Sequence, residues 1–138
     1  MFAHIASYAD LQFRREFEAG EVPPGAFNHL AHLRLAYVYR VEGNLAYAEQ
    51  RMRQSLLAFL AANNIPEAKY HETLTWAWVM AVSHFMNRSS SSSFDEFAAN
   101  SQPLLDSKVM FTHYSHDSLF SEVARAAFVE PNLEAIPH

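Results

Sequence analysis

The residues at 73–87, TLTWAWVMAVSHFMN, carry no formal charge and include neither proline nor glycine. Such a segment forms a helix that is apolar around most of its circumference, and that helix is stable only when neighbours cover it. It is too short, and too interrupted by Thr, Ser and His, to span a bilayer. We therefore predict a central buried helix over about 67–88.

A second largely apolar segment, FNHLAHLRLAYVY at 27–39, predicts the other central helix, over about 28–42. Asn28 is a good N-cap and Gly43 a good stop. Half of the 138 residues are hydrophobic, and only three are glycines. We predict an all-α fold, a compact bundle of about six helices in a single domain over 1–138. Within it, 89–93 is expected to be a serine-rich linker and 130–138 a loose tail.

Composition and charge exclude several classes of function. A formal net charge of −5 argues against nucleic-acid binding, which needs a basic surface. The absence of cysteine excludes disulfides and thiolate chemistry. Neither a signal peptide nor a membrane span is recognisable, so we expect a cytoplasmic protein with no membrane partner. The high apolar and aromatic content for a chain of this size makes a homodimer an additional expectation.

The histidines are placed so that the fold would bring them together. Short connections between helices favour antiparallel neighbours. The second and fourth helices should then begin at the same end of the bundle. His29 and His32 open the second helix, and His71 and Glu72 fall in the first turns of the fourth. The sequence thus predicts three imidazoles and one carboxylate at one pole.

Such a set suggests a divalent metal, and this is the leading hypothesis. Residues three apart on a helix are close enough to share an ion. The ligands would be His29, His32 and His71, with Glu72 as a fourth ligand or a catalytic base. Three histidines and a water fit zinc, whereas two histidines with Glu72 fit iron. The predicted function is a metal-dependent protein acting on a small molecule; whether it is an enzyme, and whether His71 or Glu72 ligates, stays open.

The alternative hypothesis needs no metal. Helix N-termini attract anions, and Arg34 would hold the anionic group of a small-molecule ligand here as in the metal hypothesis, where it is a candidate catalytic residue beside Glu72. Tyr70, Thr75 and Trp76 would line the pocket in either case. A protein-interaction domain is a further alternative. The segment EQRMRQ at 49–54 is expected to be a solvated helix face.

Two motifs resemble an uncharacterised family of small bacterial all-helical proteins. The family pattern is F-x-H-x-x-H-x-R-L-A followed by K-Y-H-E-T-x-T-W, and FDEFAANSQPLLD and FVEP are also similar, so the resemblance covers most of the chain. The matching positions are Phe27, His29, His32, Arg34, Lys69, Tyr70, His71, Glu72, Thr73, Thr75 and Trp76. No activity is established for the family, so the resemblance gives these positions weight without naming a reaction. HYSHD departs from a tyrosine-rich segment of the family, which weakens the claim of His113 and His116 to the site.

Overall fold

The fold is all-α, as predicted. The computed structural model describes residues 2–138, and within that range the chain forms seven α-helices and four short 3-10 helices. The α-helices are α1 (Tyr8–Glu18), α2 (His29–Glu42), α3 (Leu45–Ala62), α4 (Glu72–Met86), α5 (Phe94–Ala99), α6 (His116–Leu119) and α7 (Glu122–Ala126). The 3-10 helices are Pro24–Ala26, Glu67–Lys69, Gln102–Leu105 and Val109–Thr112. None of the helices in 2–138 combines the length and apolar character needed to cross a bilayer.

The core is built on α2, α3 and α4, which all pack against one another, while α1 covers α2 and α3, and α7 covers α4. Asn28 and Asn44 begin α2 and α3 by accepting hydrogen bonds from backbone amides three residues on, each at 2.9 Å. Five consecutive residues of α2, Leu35 to Tyr39, are completely buried. This buried stretch places α2 at the centre, as its largely apolar sequence predicts.

Helix α4 begins later than predicted. Pro66 is followed by the 3-10 turn Glu67–Lys69, and Tyr70 and His71 are extended. The helix proper begins at Glu72 and ends at Met86, rather than extending over 67–88. His71 is therefore the N-cap of α4 and not a residue of its first turns. This shift changes what the imidazole can do.

The serine-rich segment predicted as a linker is tied to the N-terminal segment. Ser91 is buried, its amide donates to the carbonyl of Ala3 at 3.1 Å, and its carbonyl accepts from Ile5 at 3.0 Å. The predicted loose tail also makes contacts, because Ile136 is buried and the amide of Leu133 donates to a backbone carbonyl at 2.9 Å. Both segments thus help to close the bundle.

Asp10 joins α1, α2 and α5. It is 1% exposed and accepts hydrogen bonds from the Ser7 amide, the Phe94 amide and Arg34 Nε, each at 2.9 Å. Burial alone would raise its pKa, but these hydrogen bonds outweigh burial, and the pKa lies below its ordinary value. The guanidinium of Arg34 is thereby committed to Asp10.

Candidate functional site

A cavity of about 350 Å³ lies at the pole where α2 and α4 begin, and we call it the pole cavity. The final turns of α3 form its third side. The cavity is bounded by aliphatic, aromatic, imidazole, amide and hydroxyl side chains and one ammonium: Phe27, Asn28, His29, His32, Leu56, Phe59, Leu60, Lys69, Tyr70, His71, Leu74, Thr75 and Trp78. The structure therefore brings His29, His32 and His71 into the wall of one cavity, although His71 is some forty residues from the other two in the sequence.

His71 has a structural role in this wall. Its Nδ1 accepts a hydrogen bond from the Leu74 amide at 3.1 Å, which caps α4. Nδ1 must therefore be unprotonated, so Nε2 carries the proton and donates to the Leu119 carbonyl at 2.7 Å. Burial is the main cause that lowers the pKa of His71, and Arg125 lowers it further, while the bond to Leu119 opposes both. A neutral imidazole with both nitrogens bound has no lone pair for another ligand.

The predicted metal site is wrong. Among residues 2–138, no three or more His, Cys, Asp or Glu side chains are placed to hold a metal ion. One physical reason for the absence of a metal site is that both nitrogens of His71 already make hydrogen bonds. Another is that His29 Nε2 donates a hydrogen bond to the Leu104 carbonyl at 2.8 Å. The assignment of zinc or iron to His29, His32 and His71 therefore fails, and with it the metal-dependent function.

His32 differs from the other two histidines because its imidazole makes no hydrogen bond to any residue in 2–138. It is half-buried and lies beside Phe27, with ring centroids 5.9 Å apart. Burial, together with the neighbouring His29, lowers the pKa of His32 from 6.5 to about 4. At neutral pH it is therefore an uncharged imidazole, with one N–H donor and one acceptor nitrogen available to a molecule in the cavity.

The remaining predicted site residues divide into three groups. Tyr70 and Thr75 line the pole cavity, and the Thr75 hydroxyl donates to the His71 carbonyl at 2.8 Å. Glu72 and Trp76 line a different cavity, on the other side of α4. Arg34 lines neither, and its pairing with Asp10 leaves it away from the site. His113 and His116 also lie outside the pole cavity. The imidazole of His113 hydrogen-bonds to a backbone carbonyl, and that of His116 stacks on an aromatic ring.

Several residues of the pole cavity were missed by sequence reasoning. Lys69 was noted only as part of a motif, and Trp78 only as part of the apolar segment 73–87. The ring of Trp78 lies edge-on to His29, with centroids 4.6 Å apart. Leu56, Phe59 and Leu60 come from the end of α3. Their i, i+3, i+4 spacing was a usable signal, because antiparallel packing places the end of α3 beside the starts of α2 and α4.

The second cavity has a volume of about 270 Å³, and we call it the acidic cavity. Its lining comes from α3 and α4 and comprises Ala46, Glu49, Gln50, Arg53, Glu72 and Trp76. Glu49 is only 4% exposed, so the expectation that 49–54 is a solvated face is wrong at this position. Burial, and then the charge of Glu72, raise the pKa of Glu49 to about 7.

Comparisons with protein-family models, with curated proteins and with solved structures found no match to this chain. The resemblance to a bacterial helical family stays a prediction.

Proposed function

We propose that the pole cavity binds a small amphipathic carboxylate, with the apolar body of the ligand inside and its carboxylate at the rim. The observation that carries the proposal is the charge of the lining. The chain has a formal net charge of −5, yet no Asp or Glu within 2–138 lines this cavity. The ionisable groups that do line it are Lys69, Tyr70 and three histidines. An acidic protein that keeps carboxylates out of one concave surface has a surface suited to an anion.

The interior of the cavity suits an apolar body. Leu56 and Phe59 of α3 and Leu74 and Trp78 of α4 face a common space. Its volume of about 350 Å³ is at the small end of the range for small-molecule pockets, roughly 300–1,000 Å³. A single aromatic ring or a short branched chain is therefore the appropriate size class.

The rim supplies hydrogen-bond donors and positive potential. Lys69 is exposed and forms no ion pair with any residue in 2–138. His32 has a free N–H when its ring is in the suitable tautomer, and it is neutral at pH 7. The first turns of α2 and α4 both point their backbone amides toward this pole, and helix N-termini carry partial positive charge. A carboxylate between Lys69 and His32 would receive charge-assisted hydrogen bonds.

Calorimetric titration with phenylacetate tests the proposal, with phenylacetamide as a neutral ligand of the same shape. We expect phenylacetate to bind and phenylacetamide to bind about tenfold more weakly, because a hydrogen bond to a charged group contributes about 1.5–3 kcal/mol. His32→Leu should lower the affinity for phenylacetate about tenfold while leaving the binding of phenylacetamide nearly unchanged.

The two lysines of the chain provide a matched control pair. Lys69→Met should weaken phenylacetate binding several-fold, and the effect should shrink in high salt because Lys69 is exposed. Lys108→Met removes the same charge from an exposed position outside the cavity lining and should leave the affinity unchanged. Equal binding of acid and amide, or equal effects of the two lysine substitutions, would refute the proposal.

A further inference from the structure

The acidic cavity is a separate site from the pole cavity, since the two share no lining residue. A hydrogen bond joins the two linings: the hydroxyl of Tyr70 donates to Glu72 Oε1 at 2.5 Å. Two carboxyls, those of Glu49 and Glu72, line this second space.

Glu49 lacks the hydrogen bonds that a buried carboxyl needs. The residue is 4% exposed, and its Oε1 is fully buried with no hydrogen-bond partner within 2–138. A buried polar atom that makes no hydrogen bond destabilises the fold, so native structures rarely contain one without a reason. Because Glu49 lines a cavity and its carboxyl makes no hydrogen bond within 2–138, a donor from outside the chain can supply the missing bond.

The surrounding charges favour a donor that carries a single positive charge. Arg53 is the cation of the lining, and its Nε lies 3.7 Å from Glu72 Oε1, which is too long for a hydrogen bond. Its side chain is 59% exposed, so the pair contributes little. With both carboxyls ionised, two negative charges face one positive charge. One negative charge remains uncompensated, and it is centred on the buried member, Glu49.

Trp76 gives the cavity an apolar wall. The indole is half-buried, and its ring packs against Phe128 with centroids 5.1 Å apart. An indole attracts cations through its electron-rich face and also contacts an alkyl chain. The cavity therefore combines carboxyl acceptors with a surface for a short hydrocarbon.

From these contacts we propose that the acidic cavity binds a small organic monocation, a primary ammonium on a short alkyl chain. The ammonium donates its hydrogens to Glu49 and Glu72, and the chain lies along Trp76. No inorganic metal is implied, because no group of three ligating side chains exists within 2–138.

The test uses n-butylammonium chloride and the indole N–H signals of 15N-labelled protein at pH 8, where Glu49 is mainly ionised. The chain has two tryptophans, and Trp78 lies in the pole cavity, so its signal is an internal control. We expect butylammonium to move the Trp76 signal saturably and to leave the Trp78 signal in place. Glu49→Gln should weaken this binding at least about tenfold, because it removes a charge-assisted hydrogen bond.

Four controls make the result decisive. Glu134→Gln removes an exposed carboxylate outside the acidic cavity and should bind butylammonium like the unmodified protein. Unchanged backbone amide signals elsewhere establish that Glu49→Gln is folded. Equal shifts with n-butanol would show an apolar cavity only, and equal shifts with potassium chloride would show a general salt effect. Either of these results, or undiminished binding to Glu49→Gln, would overturn the proposal.

Discussion

Replacing Glu49 with glutamine should stabilise the protein at alkaline pH and leave it nearly unchanged at acid pH. Burial and the charge of Glu72 raise the pKa of Glu49 from 4.5 to about 7. Between these two values the folded state binds more protons than the unfolded state. Glu49 therefore makes stability fall as the pH rises from 4.5 through 7. Glutamine cannot ionise, so the variant escapes this loss.

The size of the effect follows from the two pKa values. Each pKa unit corresponds to about 1.36 kcal/mol, so the full shift from 4.5 to about 7 corresponds to about 3 kcal/mol. Part of that loss has already occurred at pH 5. Linkage gives about 2.5 kcal/mol for the difference between pH 5 and pH 8.5. Glu49 is 4% exposed, so solvent screening removes little of this amount.

Urea denaturation at pH 5 and pH 8.5 in an amine-free buffer measures the effect. The quantity compared is the free energy of unfolding of Glu49→Gln minus that of the unmodified protein. Other titrating groups, including His32, contribute almost equally to both proteins and cancel in the difference. We expect the difference to increase by about 2.5 kcal/mol between the two pH values, and the same difference for Glu134→Gln to stay constant. A pH-independent difference for Glu49→Gln would refute the assignment of a raised pKa to this buried carboxyl.

Further substitutions test two contacts that hold the helices in place, the His71 cap of α4 and the pair of Asp10 with Arg34. His71→Ala should lower the free energy of unfolding by about 2–3 kcal/mol, because it removes a helix cap and a buried hydrogen bond. His71→Asn should recover the contribution of the cap, about 1 kcal/mol. Urea denaturation measures both variants. An equal loss for both variants would show that the cap contributes nothing. Asp10→Asn should lower the free energy of unfolding by about 3 kcal/mol, because it leaves Arg34 without its partner. If the ion pair alone is responsible, Asp10→Asn should have no effect in a protein that already carries Arg34→Met.

The architecture could be predicted because it depends on patterns that extend over many residues. The uncharged segment at 73–87 requires a covered helix, and Asn28, Asn44 and Gly43 mark where helices begin and end. Antiparallel packing of α2, α3 and α4 then follows from their short connections. These inferences need only the periodicity of apolar residues and the chemistry of helix caps.

The chemistry of the site depended on details that periodicity does not contain. Moving the start of α4 from residue 67 to Glu72 made His71 a cap, and a capping imidazole has no free nitrogen. The sequence shows neither this shift nor the carbonyls of Leu104 and Leu119 that bind His29 and His71, because those carbonyls come from distant segments.

Glu49 was missed for a related reason. It sits among charged residues in EQRMRQ, and the neighbouring Arg53 is indeed exposed. Which members of such a segment are buried depends on how α3 is rotated about its axis against α4. Successive residues of a helix point about 100° apart, so a rotation by one residue would exchange a solvated glutamate for a buried one. The two cavities therefore rest on packing geometry that only coordinates provide.

The most direct test of the pole cavity as an anion site is the titration of His32, followed by NMR of its imidazole nitrogens with and without phenylacetate. Without ligand, burial and His29 keep the pKa of His32 at about 4. A bound carboxylate beside the ring favours the imidazolium, so saturating phenylacetate should raise this pKa by at least about one unit. Identical titration of His32 with and without phenylacetate would contradict the account.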